Sequence, residues 1–147
     1  MLDAVIIGAG VVGAFVARTL SRYELDVCVL ERNSDVAMGA TRANSAIAHA
    51  GFDAKEGSLK AKLNVRGSEM MESVCAELGV KYNRCGSLVV GFSDEDRETL
   101  EELLERGVKN GVRELSIVER DELRGIKRRF PPRNSMFSSQ ELIVFRP

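Results

Sequence analysis

Asp3-Ala-Val-Ile-Ile7-Gly8-Ala-Gly10-Val-Val-Gly13 is the stretch that decides the fold. A short apolar run stops at a glycine, and the glycines follow in the spacing G-x-G-x-x-G. Such a run suits a parallel strand buried on both faces. From Val11 to Arg22 the period changes, with Phe15, Val16 and Leu20 recurring at helical spacing. Asp26-Val-Cys-Val-Leu30 reads as a second buried strand, ended by Glu31. Strand, helix and strand in this order form a βαβ unit with a right-handed crossover.

Each glycine has its own expected task. Gly8 allows the tight turn from strand to helix, Gly10 lets the backbone approach a pyrophosphate, and Gly13 lets the helix pack close on the strand. The helix N-terminus offers N–H groups and a positive dipole end to the anion. Glu31 ends the second strand, 18 residues after Gly13. There its carboxylate is expected to accept from both hydroxyls of an adenosine ribose and to repel a 2′-phosphate. NAD or FAD is therefore expected over NADP. The following loop separates these two. A small NAD domain would continue into another βαβ unit, whereas here Gly39-Ala-Thr-Arg-Ala-Asn-Ser-Ala-Ile-Ala-His-Ala-Gly51 intervenes. Its hydroxyl, amide and small side chains suit a second phosphate and the close approach of a flat ring.

The rest of the chain is globular in character. Of 147 residues, 44% are hydrophobic and 29% charged, which excludes wholesale disorder. No apolar run is long enough to span a bilayer, and no basic leader marks a signal peptide. A net charge of −1 gives no nucleic-acid footprint. Cys28, Cys75 and Cys85 are far apart, without a CxxC pair, and read as buried thiols in a reducing, cytoplasmic compartment. No metal site is expected.

Further along, a short helix is expected within Asn44–His49. Ser58 is expected to cap a helix to about Leu78, with Leu59, Leu63, Met70, Val74 and Leu78 on one stripe and Gly79 as the stop. Met70, Met71 and Cys75 read as core filler. Lys81–Arg84 and Ser87–Phe92 suggest a hairpin around Gly86. Ser93 caps a helix to about Asn110, with Leu100, Leu103, Leu104 and Val108 inward and a solvated acidic face including Glu101, Glu102 and Glu105. Leu115–Val118 is a weak strand, and Asp121–Arg124 starts a helical turn.

The composition changes near residue 126. All 13 glycines lie at or before Gly125, and all three prolines lie after it. Residues 1–125 carry a net charge of −5 and residues 126–147 a net charge of +4. The expected organisation is a partial dinucleotide-binding domain with the start of a substrate-domain insertion over 1–125, then an atypical basic, Pro-containing tail over 126–147. That tail reads as the product of a frameshift, with Leu142–Phe145 forming a sticky, strand-like edge.

Residues 39–51, with Asp53-Ala-Lys-Glu-Gly57-Ser-Leu-Lys-Ala-Lys-Leu63, resemble FAD-dependent glycerol-3-phosphate dehydrogenases. More broadly they resemble the D-amino-acid-oxidase-like flavoprotein superfamily. The resemblance runs from Met1 to about Gly125 and is specific in the βαβ unit and in Thr41–Gly51. It implies an α/β fold, a Rossmann-like FAD-binding βαβ unit with a partial doubly wound sheet and the beginning of a substrate-domain hairpin. It implies FAD as cofactor, with Gly8, Gly10, Val12 and Gly13 at the pyrophosphate and Glu31 and Arg32 at the adenosine. Thr41, Arg42, Asn44 and Ser45 would lie along the phosphates and ribityl chain.

His49, the one histidine, is by its residue context an ordinary loop histidine. The resemblance instead places it beside the flavin, either taking the hydroxyl proton or only positioning the ring. The implied reaction is oxidation of a secondary alcohol, glycerol-3-phosphate or a related hydroxy compound, with electrons passing to a quinone, another carrier or oxygen. Peripheral membrane contact is compatible with it. Members of this kind are several times longer, so the chain reads as an N-terminal portion, inactive alone. Alternatives are a flavoprotein oxidising a 2-hydroxy acid or an amine, a non-catalytic nucleotide-binding module, and one subunit of a split enzyme.

Overall fold

The computed structural model describes residues 1–84, 86–119 and 141–145. Cys85, the Asp121–Arg124 turn and the tail before Glu141 lie outside these described residues. Two units divide the chain, Met1–Ile47 and Ala48–Pro147.

The first unit is the βαβ. Strand β1 (Ala4–Ile7) pairs in parallel with β2 (Val27–Leu30), Ala4 opposite Val27 and Ile7 opposite Leu30. Between them runs helix α1 (Val11–Leu20). The side of α1 that is half-buried is formed by Gly13, Ala17 and Leu20. Phe15 and Val16 stay exposed, with the Arg18 guanidinium over the Phe15 ring. Side chains alternate across a strand, so Val5 and Ile7 share the face opposite Ile6. Ile7 on that face is 89% exposed, although the run reads as doubly buried. Cys28 is half-buried rather than buried. The loop after β2 is a succession of turns, and residues 45–50 have no regular structure where a short helix is expected.

In the second unit, helix α2 (Leu59–Glu77) starts on Ser58, whose Oγ accepts from the Ala61 N–H. It ends in a left-handed glycine, Gly79 at φ +66°, with the Val80 N–H donating to the Cys75 carbonyl. Its expected apolar stripe is not its covered face. Leu59, Leu63, Met70 and Leu78 are exposed and only Val74 of that stripe is half-buried, while Ala61, Val65, Ser68, Met71 and Cys75 are buried or half-buried. Periodicity locates a helix, but the rotation about its axis is set by what packs against it.

Strands β3 (Ser87–Gly91), β4 (Leu115–Glu119) and β5 (Glu141–Phe145) form an antiparallel sheet in the order β3-β5-β4. Phe145 stands opposite both Ser87 and Leu115, and Glu141 opposite both Gly91 and Glu119. Two expectations are corrected here. Residues 81–84 form no strand, so there is no hairpin around Gly86. The segment 142–145 is the central strand, not an edge, because both its sides are paired.

Helix α3 (Asp94–Lys109) packs on this sheet. It begins in a reciprocal capping box between Ser93 and Asp96. Three bonds, first the Phe92 N–H and then the Ser93 hydroxyl and N–H, hold the Asp96 carboxyl below its ordinary value. Leu100 is 2% exposed and is packed by Phe52, Val89, Leu103, Leu115 and Ile117. Val108 points outward instead of inward, since Gly107 takes the covered position. A Cβ at Gly107 would overlap Leu115 Cδ1, so a larger residue requires the Leu115 side chain to shift.

Candidate functional site

The first unit's Gly-rich turn joins β1 to α1. Gly8 leaves the strand at φ +98°, a conformation that L side chains rarely adopt, while its N–H donates to the Leu30 carbonyl at 2.7 Å. Gly13 sits so close beneath it that a Cβ would overlap the Gly8 carbonyl and meet Ile6 at 3.3 Å. Gly10 is the N-cap of α1 and brings no side chain to the cap. Helical geometry leaves the first N–H groups of α1 without partners inside the helix. One of them, on Val11, donates to Thr41 Oγ1 at 2.9 Å, from thirty residues further along the chain.

Glu31 faces this turn. One carboxylate oxygen accepts from the Ala9 N–H at 2.8 Å. The other accepts from the Asn33 N–H and side-chain amide, at 2.9 and 2.8 Å. These donors, the Asn33 N–H first and the Ala9 N–H second, hold the carboxyl below its ordinary value. A carboxylate offers about four acceptor positions. Glu31 therefore has little room left for two ribose hydroxyls while it also keeps Asn33. Glu31, the expected ribose acceptor, is thus also a tie between the end of β2 and the Gly-rich turn.

Beside the turn lies a cleft of about 360 Å³, lined by Ala9, Gly10, Val11, Ala14, Val29, Val36, Ala37 and Thr41. Its walls are apolar, and α1's N-terminus lies at its edge. Ala37 adopts φ +59° and donates its N–H to the Ala9 carbonyl at 3.0 Å, which fastens the loop over the turn. Asn33, Val36 and Ala37 have roles here that the sequence does not advertise. Asn33 looks like one more polar loop residue, and alanine gives no signal of a left-handed backbone.

The structure thus brings Gly8, Gly10, Gly13, Glu31 and Thr41 together. Val12 is 75% exposed. Arg32, Arg42 and Ser45 are exposed. Asn44 shapes its own turn, donating to the Thr41 carbonyl and accepting from the Ala46 N–H at 2.7 Å. His49 is exposed and belongs to the second unit. A larger groove there, about 480 Å³, is walled by charged residues, among them Lys109 paired with Glu105 at 2.8 Å and Glu56 at 3.8 Å. Among the described residues no group of His, Cys, Asp or Glu could hold a metal ion, and no helix is long and apolar enough to cross a membrane.

The family model described as FAD dependent oxidoreductase matches residues 3–147, running on past the composition change near residue 126. A glycerol 3-phosphate dehydrogenase of Caloramator mitchellensis is 50% identical over 123 residues, 84% of this chain and 26% of that protein. A mitochondrial L-2-hydroxyglutarate dehydrogenase of Nematostella vectensis is 39% identical over 138 residues, 92% of this chain and 30% of the relative. The L-alpha-glycerophosphate oxidase of Mycoplasma pneumoniae, solved with FAD bound, shares the fold at a TM-score of 0.80 and 24% identity. It covers 99% of this chain and 38% of its own. The chain therefore spans about a quarter to two-fifths of the length of these proteins.

Proposed function

The chain belongs to the FAD-dependent oxidoreductase family, and from that premise we propose that it is the FAD-holding part of an enzyme that oxidises the secondary alcohol of glycerol 3-phosphate. The observation that carries this reading is the Gly8–Gly13 turn, held by Glu31 on the Ala9 N–H and by Thr41 on the Val11 N–H. The residues present fit the cofactor. The Gly10 backbone and the first N–H groups of α1 would take the pyrophosphate. Glu31, giving up Asn33 for the ribose, and Arg32 would serve the adenosine, and Thr41, Arg42, Asn44 and Ser45 the phosphates and ribityl chain. When bound, FAD supplies a two-electron acceptor.

His49 is the proposed base: a neutral imidazole nitrogen accepts the hydroxyl proton as the alcohol carbon is oxidised. The acceptor of the electrons is a quinone, another carrier or oxygen, and the compartment is the cytoplasm. A second reading, oxidation of a 2-hydroxy acid, is favoured by the relative that matches 92% of this chain.

The test is equilibrium binding to the purified chain. FAD is expected to bind in preference to NAD and ADP and to give a yellow, reducible protein. A colourless protein that takes up NAD or ADP instead would sink the reading in favour of a non-catalytic nucleotide module. The chain alone is expected to show no turnover of glycerol 3-phosphate with an artificial electron acceptor, and measurable turnover would show that it needs nothing further.

A further inference from the structure

The segment that carries His49 is held from a distance. Asn110 ends α3, and its side-chain nitrogen donates to the Gly51 carbonyl at 2.9 Å and to the Ala54 carbonyl at 2.8 Å. These acceptors lie 59 and 56 residues earlier in the chain. Ending the helix needs none of this. Asn110 has ordinary right-handed backbone angles, Gly111 supplies the left-handed residue, and the Val112 N–H closes the end on the Gly107 carbonyl. The amide is thus spent outside its own helix. It offers two donors on a short stem, whereas a carboxylate of the same shape offers none.

Packing closes the same segment from two other sides. Gly51 lies at φ +103°, and a Cβ there would meet Val65 Cγ2 at 3.0 Å and Asn64 Cβ at 3.2 Å, both on α2. Phe52 packs against Leu100, and the bare Gly107 lets α3 approach it, since a Cβ there would stand 3.0 Å from Phe52 Cβ. Ala54 is 2% exposed. His49 comes two residues before Gly51 and is itself exposed.

We propose that Asn110 is a positioning residue: its two hydrogen bonds clamp residues 51–54 and thereby fix the backbone from which His49 projects. The inference rests on His49 being the proton acceptor for its relevance to catalysis, but the clamp itself is testable without cofactor or substrate.

His49 is the chain's one histidine, so its ring protons give unique signals in a proton NMR spectrum. In the flavin-free 147-residue chain, Asn110→Ala is expected to move the His49 Cε1–H signal toward its position in denaturant and to shift the amide signals of Gly51 through Lys55. Asn110→Asp keeps the size but loses the donors, so it should do the same at neutral pH. Val118→Ala opens a cavity at a residue 1% exposed and lowers the unit's stability by another route. It should leave the His49 signal in place. The proposal is overturned if both Asn110 variants keep the wild-type His49 and Gly51 signals, or if Val118→Ala moves them equally. Loss of a folded spectrum in both Asn110 variants would also overturn it, by assigning Asn110 to general stability. The base assignment fails separately, if His49→Asn in a complete enzyme carrying this segment retains kcat, and that result leaves the NMR outcome untouched.

Discussion

The two sheets of this chain are built in opposite ways. The first unit pairs β1 with β2 across a single helix, and its decisive contacts come from within 41 residues. It nevertheless leaves Val5, Ile7 and Leu30 exposed. A two-stranded sheet is marginal alone, and parallel strands want cover on both faces. The second unit draws β3, β4 and β5 from distant parts of the sequence and buries Leu100 and Val118 under 3% exposure. The lesson is that the unit with the recognisable cofactor motif is the one less able to bury its own apolar surface. The glycine turn is specified by close approach, and the second unit by a packed core.

The largest expected effect breaks the first unit alone. Gly13→Val forces a side chain into the Gly8 carbonyl, a backbone group that cannot step aside. We expect a loss above about 4 kcal/mol, in the exceptional class for a point change. Circular dichroism and FAD titration should both register it, while the amide signals around Leu100 persist. Leu100→Ala is the mirror experiment. It should lower the second unit's stability by about 3 kcal/mol, as for a deleted core leucine. Urea unfolding followed at β3 and at β1 would blur the comparison if both responded equally.

Next come changes that separate binding from folding. In the first unit a Cβ at Gly10 would meet only Thr41 Oγ1, at 3.2 Å. Gly10→Val should therefore keep most of the secondary structure yet weaken FAD binding roughly a hundredfold or more, by blocking the backbone's approach to pyrophosphate. Unchanged FAD affinity would remove Gly10 from the site.

Glu31 adds a pH dependence of known sign. Its folded-state carboxyl is held below the ordinary value of 4.5. The tie to Ala9 and Asn33 thus stabilises fully above that value and is lost as pH falls below it, through the depressed folded pKa. Glu31→Ala should abolish that acid-side loss and weaken FAD binding roughly tenfold or more. An unaltered acid limb would separate Glu31 from the turn. The smallest effect is at Ala37. Replacing it by glycine relieves the left-handed backbone but frees the unfolded chain, so the stability change should stay under about 1 kcal/mol. A larger loss would mean that the alanine methyl itself supports the cleft.

The sequence by itself determined what depends on neighbours along the chain. The strand–helix–strand order, the three glycine positions, the Ser58 and Ser93 caps and the glycine stop at Gly79 are set by apolar period, by φ, by absent side chains and by hydrogen bonds spanning a few residues. A pattern of residue types records such constraints directly. Only the tertiary structure decided which side of α2 is covered, that Val108 yields its inward place to Gly107, and that residues 141–145 pair between β3 and β4 rather than standing at an edge. The same holds at the site. Thr41 reaching Val11, Asn33 sharing Glu31 with Ala9, and Asn110 holding Gly51 and Ala54 all join groups through space. A short polar residue has many partners available in sequence, and its choice among them is made by the packing that brings one backbone group within about 3 Å.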